Sequence, residues 1–351
     1  MPSQKKDSSE QKISRHLDAR LPMVMYRLPL ETKVNCVFQS NSKLNFLDRY
    51  NQKGFIFAPF DTDKKEIVLF KADETLEYHF DSLEVLDNGK SFSKKEDLDF
   101  HLRLIEKSIE RIRDGSLKKV IASRSINVTC DISAVVLFKR LLQNYPTAFC
   151  YLLYHPKVGT WLGASPELLV SVKGLEFKTT SLAGTLPVNG SYLPKWTSKE
   201  LQEQQLVTDF IQDELQHLAL PLKISKVENY KAGKLWHLKS VLTGKLNSFE
   251  QLKKVIEALH PTPAVCGLPK RNAKEFILAN ENYDRDFYTG FLGELNMSES
   301  NSANIFVNLR CMKLEEGLAK IFVGGGITID SVPQNELQET IAKSSTMLDL
   351  L

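Results

Sequence analysis

Short apolar runs separated by polar turns dominate the chain after its polar N-terminus. Between residues 34 and 86 such runs occur at 55–58 and 67–70, and both are rich in aromatic or β-branched side chains. Runs of this length between turns are typical of β-strands. The pattern therefore predicts a strand-rich N-terminal part.

An amphipathic helix is predicted next, because apolar residues recur at spacings of three and four from position 98 to position 112. Ser93 and Glu96 have the spacing of a capping box at its start, and Asp114-Gly115 is predicted to end it. A strand that carries Lys119 follows almost at once.

The second half of the chain mixes strands and helices without a regular βαβ alternation, so a doubly wound parallel sheet is not expected. Strands are predicted at 149–154, 168–172, 305–314 and 319–323, and the last two read as a hairpin around Glu315-Glu316-Gly317. Helices are predicted at 198–219, 248–259, 270–280 and 334–348. The pattern alone predicts a strand-rich α+β protein.

Composition excludes several classes of protein. Among 351 residues, 46 basic and 43 acidic side chains give a net charge of +3, too balanced to favour nucleic-acid binding. Five scattered cysteines without a CxxC pair favour a reducing compartment and argue against a zinc site. Residues 1–15 resemble a disordered polar tail rather than a signal peptide, and no apolar run is long enough to span a membrane. We therefore expect a cytoplasmic protein.

Lys119 and Glu167 are candidates for acid–base chemistry. Adding water to a ring carbon while expelling a hydroxyl needs a base on one side and an acid on the other. A lysine serves as the base only if burial or neighbouring charges lower its pKa, whereas apolar surroundings keep a glutamate protonated. Taken alone, each residue reads more simply as a solvated residue at a strand end.

Two carboxylate pairs stand at helical spacing, Glu200 with Glu203 and Glu336 with Glu339. Residues three apart share a helix face, and hard oxygen ligands from two elements suit Mg²⁺. The local alternative is a capping box formed by Thr197 and Glu200. For Glu339 the local alternative is an ordinary salt bridge to the residue four positions on, Lys343.

A glycine triplet, Gly324-Gly325-Gly326, follows the predicted strand at 319–323 and precedes a helix start. Backbone N–H groups in such a turn can hold an anion where side chains would collide. The simpler interpretation is a tight turn.

Taken in order along residues 95–350, a set of motifs resembles the chorismate-utilising enzymes, and among them the isochorismate synthases. The resemblance rests on Lys119-Val120-Ile121-Ala122-Ser123-Arg124, Gly163-Ala164-Ser165-Pro166-Glu167, Leu182-Ala183-Gly184-Thr185, His237-Leu238-Lys239-Ser240, His260-Pro261-Thr262-Pro263-Ala264 and Gly324-Gly325-Gly326-Ile327.

The resemblance implies a single large α+β domain in which two antiparallel sheets pack together with helices outside. Residues 16–94 would be its strand-rich N-terminal part and residues 95–351 its chorismate-binding catalytic region. It also implies that Lys119 activates water as the general base, and that Glu167 protonates the hydroxyl leaving C4 of chorismate.

By the same resemblance, Glu203 and Glu339 would hold Mg²⁺, with Glu200 and Glu336 as water-mediated partners. Tyr288 and Arg310 would grip the enolpyruvyl carboxylate, an interaction that suits the guanidinium fork. Lys343 would reach the ring carboxylate, and His237 would lie near the ring. The remaining implied substrate contacts are Ala183, Gly184, Thr185, Ala264, Val265, Gly324, Gly325 and Gly326.

Two positions discriminate within the family. Ala183 stands where aminodeoxychorismate synthases have a nucleophilic lysine, which argues against a covalent route. Ala264, followed by Val265, offers no hydroxyl to help the enolpyruvyl group leave, so the reaction would stop at isochorismate. A salicylate synthase, an ammonia-using synthase subunit and a non-catalytic chorismate-binding protein remain alternatives.

This chain departs from the family pattern where Gln204 replaces a histidine after the metal glutamate. We expect a monomer that needs no obligatory amidotransferase, and that serves menaquinone or catechol siderophore synthesis.

Overall fold

The computed structural model describes residues 9–80, 94–188, 193–218, 220–232 and 235–351. Their helices are α1 (Ser9–Asp18), α2 (Leu98–Arg113), α3 (Ala134–Asn144), α4 (Ser198–His217), α5 (Gln251–Leu259), α6 (Lys270–Asn280) and α7 (Pro333–Leu348). None of these helices is both long enough and apolar enough to cross a membrane.

The strands form two antiparallel sheets. The first ten are β1 (Met23–Arg27), β2 (Lys33–Phe38), β3 (Asn45–Phe46), β4 (Gly54–Ala58), β5 (Val68–Lys71), β6 (Glu74–His79), β7 (Lys94–Lys95), β8 (Lys119–Thr129), β9 (Phe149–His155) and β10 (Gly159–Ser165). The others are β11 (Leu168–Lys173), β12 (Glu176–Pro187), β13 (Leu222–Ile224), β14 (Glu228–Ala232), β15 (Leu235–Lys245), β16 (Gly267–Leu268), β17 (Phe291–Leu295), β18 (Ser302–Val307), β19 (Cys311–Glu315) and β20 (Leu318–Ile327).

The first sheet runs in the order β16-β8-β20-β19-β10-β9-β1-β2-β6, and β7 pairs with β8. The second runs β13-β15-β12-β11-β18-β17-β4-β5-β3, and β14 pairs with β15. Aromatic residues fill the space between the sheets; Phe149 of the first stacks on Phe306 of the second at 4.3 Å between ring centroids. The predicted α+β fold of two packed antiparallel sheets is confirmed.

The helices cover the outer faces of the sheets. Helices α4 and α5 bury apolar residues against the second sheet, and α3 and α7 do so against the first. Helices α2 and α6 close the end of the first sheet around β8. This arrangement leaves β8, β12, β15 and β20 around one pocket, described below.

The four helices predicted in the second half are present with slightly shifted ends, whereas α3 was not predicted. The capping box predicted for α2 is wrong: Ser93 lies outside the described residues, and the helix begins after Asp97. The Asp97 carboxylate accepts a hydrogen bond from Phe100 N at 2.8 Å. Glu96 pairs with Arg124 instead.

The disordered tail predicted for residues 1–15 is wrong from residue 9 onward. Helix α1 begins at Ser9, and its Ile13 is buried against the first sheet. This apolar contact holds in place a segment that is otherwise mostly polar. Residues 1–8 lie outside the described part of the chain.

The strand predicted at 305–314 is two strands in different sheets. β18 ends at Val307 in the second sheet, and β19 begins at Cys311 in the first. Between them Arg310 adopts a positive φ of 49°, and the Asn308 amide donates to Phe287 O at 2.9 Å. The hairpin of β19 and β20 is present as predicted.

Gly290, the residue before β17, tests how closely the chain packs there against the end of β4. A Cβ atom at Gly290 would lie 1.9 Å from the Ala58 carbonyl oxygen, a backbone atom that cannot move aside alone. Gly290→Ala should lower the free energy of unfolding by more than about 2 kcal/mol, measured by urea denaturation. The control is Gly174→Ala, where a Cβ meets nothing within 4 Å and only the positive φ of 62° costs stability. Equal losses in the two variants would contradict this packing.

Candidate active site

Lys119 is completely buried at the start of β8, so its interpretation as a solvated lysine is wrong. Its Nζ lies 2.8 Å from Glu203 Oε1 of α4. A buried ammonium needs such a partner, because removing it from water is otherwise very costly. Its neighbour Lys118, the residue before β8, is exposed.

Glu167 lies between β10 and β11 with only 3% of its surface exposed, so the interpretation as an exposed edge residue is also wrong. Its backbone carbonyl accepts a hydrogen bond from Val307 N at 3.0 Å. The Thr262 hydroxyl donates to Glu167 Oε1 at 3.3 Å. Burial raises the pKa of Glu167 to about 7, against smaller opposing effects of Thr262 and Lys119. Glu167 can therefore carry and release a proton near neutral pH.

One pocket brings the predicted substrate contacts together. Besides Glu167 and Glu203, the predicted residues that line it are Ala183, Gly184, Thr185, His237, Ala264, Val265, Tyr288, Arg310, Gly324, Gly326 and Lys343. Gly325 is the one predicted substrate contact that does not line this pocket, because its strand turns it the other way.

The glycine triplet is not a turn but part of strand β20, paired with β8 through Gly326↔Ile121. Strand alternation turns Gly324 and Gly326 toward the pocket and Gly325 toward α7. A Cβ at Gly326 would lie 2.5 Å from Glu203 Oε1, so glycine here makes room for that carboxylate. Lys343 Nζ donates to the Gly324 carbonyl at 3.3 Å.

An irregularity in β12 aims the Ala183-Gly184-Thr185 segment into the pocket. The pairing with β15 shifts between Ala183 and Leu186, and Gly184 has a φ of 72°, which glycine adopts without strain. His237 Nδ1 donates to the Gly184 carbonyl at 2.8 Å. Its Nε2 can then accept from Arg310 Nη2 at 3.3 Å.

His237 is therefore neutral and orients the guanidinium of Arg310. Burial and the nearby positive charge of Arg310 lower the pKa of His237 to about 3. Arg310 Nη1 also donates to Thr346 Oγ1 at 3.2 Å. Two fixed partners leave the remaining donors of the guanidinium for an anion in the pocket.

The sequence interpretation missed a buried ion pair between Arg285 and Glu281, whose nitrogen and oxygen lie 2.6 Å apart. Arg285 also donates to the carbonyls of Ile121 and Val265, each at 2.8 Å. Glu281 accepts from the backbone and the hydroxyl of Ser123. One ion pair thus joins β8 to the Ala264-Val265 segment. Arg285 stands three residues before Tyr288, but no local pattern shows what it contacts.

The acidic residues beside the pocket are each engaged by a different group. Glu200 forms the predicted capping box, and its Oε2 accepts from Thr197 N at 2.9 Å. Lys343 Nζ lies 2.7 Å from Glu339 Oε1, which confirms the predicted salt bridge. Lys199, which the sequence interpretation missed, lies 2.6 Å from Glu336 Oε1.

The donor chemistry fits Mg²⁺, although no ready-made site is formed. Carboxylate oxygens are the ligands this ion prefers, and Glu336 Oε2 is buried without a hydrogen-bond partner in the described structure. Burial and the nearby Glu339 raise the pKa of Glu336. In the described ranges, no three acidic, histidine or cysteine side chains converge closely enough to hold a metal ion. Binding Mg²⁺ would therefore need a rearrangement of these glutamates.

A sequence model of the family described as chorismate binding enzyme matches residues 62–351. The chain belongs to this family. It is 34% identical over 264 residues to the isochorismate synthase DhbC of Bacillus subtilis, a match that covers 70% of this chain and 65% of that protein. It is also 34% identical over 243 residues to the isochorismate synthase EntC of Escherichia coli, covering 66% and 62%. Both matches span just under two thirds of the relatives' length.

Solved structures of the family share the fold. One is the structure of DhbC from Bacillus anthracis, described as a 2,3-dihydroxybenzoate-specific isochorismate synthase. It matches with a TM-score of 0.80 at 26% sequence identity, and the match covers 96% of this chain and 98% of that one. The menaquinone-specific isochorismate synthase MenF from Escherichia coli has a TM-score of 0.78 at 21% identity, covering 94% and 88%. These likenesses support the fold described above.

The buried carboxyl of Glu167 should make stability depend on pH. Its pKa is about 7 in the folded protein, against about 4.3 for an exposed glutamate. Between these values the folded state binds more protons than the unfolded state, so stability falls as pH rises. Glu167→Gln removes this loss, and its stability advantage should grow with pH to about 4 kcal/mol at most.

Urea unfolding of wild type and Glu167→Gln, followed by circular dichroism at a series of pH values from about 5 to about 8, measures this difference. Glu176→Gln, an exposed position at the start of β12, is the control. Parallel stability curves for wild type and Glu167→Gln would show that Glu167 ionises normally.

Proposed function

We propose that this protein is an isochorismate synthase, an isomerase that adds water at C2 of chorismate and expels the C4 hydroxyl. The observation that carries the proposal is a buried acid that lines the pocket, Glu167, and a buried lysine, Lys119, directly behind the pocket residues Glu203 and Gly326. Lys119 is fully buried and paired with Glu203, and Glu167 has its pKa raised to about 7. Lys119 begins β8 of the first sheet, and Glu167 lies in the connection from β10 of the first sheet to β11 of the second.

In the proposed reaction Lys119 is the general base. It first loses to solvent the proton that it holds beside Glu203, and its amine then removes a proton from water as the oxygen bonds to C2. The ring double bonds shift and the C4–O bond breaks. Glu167 gives its proton to the departing oxygen, so that water leaves. One water is consumed and one is released, and the product is an isomer of the substrate. Thr262, whose hydroxyl donates to Glu167, would hold the carboxylate that remains.

The two carboxylates of chorismate would be held at separate places. Arg310, oriented by neutral His237, and Tyr288 would bind the enolpyruvyl carboxylate. Lys343 would bind the ring carboxylate beside the Gly324 carbonyl. Guanidinium and ammonium groups suit these roles because charge-assisted hydrogen bonds are the strongest available here.

The residues around the ring favour water attack without elimination. Ala183 supplies no amine for a covalent intermediate. Ala264 and Val265 line the pocket with apolar side chains and offer no hydroxyl to the enolpyruvyl oxygen. The runner-up functions are a salicylate synthase and an ammonia-using synthase subunit, and the product analysis below separates them.

Glu203 and Glu339 would hold Mg²⁺, and Glu336 would join them through a water molecule. Glu200 already accepts a hydrogen bond as the cap of α4. This supports a smaller role in metal binding for Glu200 than for Glu203, Glu336 and Glu339. When bound, the ion would neutralise the acidic cluster and attract the substrate's ring carboxylate.

The relatives named for menaquinone and for 2,3-dihydroxybenzoate support a role in menaquinone or catechol siderophore synthesis. We infer a cytoplasmic monomer that needs no amidotransferase.

Purified protein with chorismate and Mg²⁺ should form isochorismate without pyruvate, as followed by chromatography. Lys119→Ala and Glu167→Gln should each lower kcat by about 100-fold or more, because each removes an acid–base group. The matched control is Lys118→Ala, at an exposed lysine one residue before β8, which should keep wild-type activity.

Pyruvate and salicylate in comparable yield would favour the salicylate synthase. An aminated product at high ammonium concentration and alkaline pH would favour the ammonia-using subunit. Chorismate binding without turnover at any metal concentration would indicate a binding protein.

The metal assignment predicts a changed Mg²⁺ dependence. Glu203→Gln and Glu339→Gln should each raise the Mg²⁺ concentration for half-maximal turnover by about tenfold or more, and weaken chorismate binding, because the two ligands are coupled. Glu275→Gln is the control, since Glu275 forms an exposed salt bridge with the same four-residue spacing as Glu339 and Lys343. Identical metal dependence in all variants would make the two glutamates structural residues only.

A further inference from the structure

Lys199 contacts Glu336 and interacts electrostatically with Glu339 and Glu203, three of the four glutamates to which the metal is assigned. It is the second residue of α4, and its Nζ is 2.6 Å from Glu336 Oε1. Burial alone would lower its pKa, but the attraction of Glu336, Glu339 and Glu203 outweighs that effect and raises it. The Lys199 ammonium is therefore a tethered cation inside the acidic cluster.

Three of the four glutamates, Glu203, Glu336 and Glu339, each pair with a different lysine, whereas Glu200 caps α4. Nitrogen–oxygen distances are 2.8 Å for Lys119 with Glu203, 2.7 Å for Lys343 with Glu339, and 2.6 Å for Lys199 with Glu336. The separate pairings explain why the described residues form no convergent metal site. Bringing the carboxylates together around one ion requires at least one ammonium to leave.

The three lysines differ in their freedom to leave. The side chain of Lys119 is 0% exposed, and that of Lys343 is 16% exposed and also bonded to the Gly324 carbonyl. The side chain of Lys199 is 27% exposed at the N-terminal end of α4. A flexible four-carbon stem can carry its ammonium from a partly exposed position into water at little cost.

We propose that Lys199 is an exchangeable counter-ion: its ammonium neutralises Glu336 in the metal-free protein, and Mg²⁺ displaces it on binding. This inference rests on the proposed metal role of Glu203, Glu339 and Glu336. The exchange follows from charge repulsion, since an ammonium beside Glu336 opposes a divalent cation on the same carboxylates. Glu336 Oε2, buried without a hydrogen-bond partner, is the oxygen that gains a partner when the exchange occurs.

The first test is calorimetric titration of MgCl₂ into chelator-treated protein without chorismate. Lys199→Gln removes the competing charge, so Mg²⁺ should bind about tenfold more tightly than to wild type. The same variant should melt at a lower temperature in a chelator, because Glu336 loses its counter-ion, and Mg²⁺ should restore it. Lys199→Arg, which keeps the charge, should resemble wild type. Lys253→Gln, which breaks an exposed salt bridge on α5, is the matched control and should change neither property.

The second test uses the wild-type protein, so it does not depend on how any variant folds. Lysines are acylated with an amine-reactive reagent and quantified by mass spectrometry with and without MgCl₂. Displacement into water should increase the labelling of Lys199 several-fold, while Lys253 stays constant. Unchanged or reduced labelling of Lys199 would overturn the proposal.

Equal or weaker Mg²⁺ affinity in Lys199→Gln would show that Lys199 supports the metal ligands or is a bystander, and would overturn the exchange. No binding heat in wild type or in Lys199→Gln would overturn both the exchange and the metal assignment. Neither readout needs turnover. Tighter Mg²⁺ binding in Lys199→Gln would therefore support the exchange even if chorismate were converted to another product.

Discussion

The ion pair between Lys119 and Glu203 is the interaction on which the site depends. A fully buried ammonium is tolerated only beside a well-placed carboxylate, and here the carboxylate comes from a helix outside the sheet that carries the lysine. Gly326 leaves the space that Glu203 occupies. Gln204, the next residue, donates to Ser240 Oγ at 3.0 Å and so fixes α4 against the second sheet.

The proposed base, Lys119, and the proposed acid, Glu167, have different surroundings. Lys119 faces a carboxylate, whereas Glu167 is buried against Thr262 and has its pKa raised to about 7. Three of the glutamates beside the pocket, Glu203, Glu336 and Glu339, are each paired with one lysine, so these three pairs carry no net charge before any ligand arrives. A divalent cation and a substrate with two carboxylates then add equal and opposite charge. This balance gives a physical reason for the two ligands to bind together.

Features that depend on spacing along the chain could be predicted from the sequence, including the capping box of Thr197 and Glu200 and the salt bridge of Glu339 and Lys343. Features set by distant residues could not. The glycine triplet looked like a turn because the strand that pairs with it lies about 200 residues earlier in the chain. The contacts of Arg285 and Lys199 likewise join residues far apart in sequence. Family motifs identified most of the residues that line the pocket, but not the pairings that hold them.

The central claim is that water, activated in this pocket, becomes the new hydroxyl of the product. Turnover of unlabelled chorismate in oxygen-18-labelled water, followed by mass spectrometry of the product, tests it most directly. The account predicts that isochorismate carries one labelled oxygen, at its C2 hydroxyl, and that the released C4 oxygen is unlabelled. Isochorismate without label would mean that the original hydroxyl migrates, which would contradict the roles given to Lys119 and Glu167.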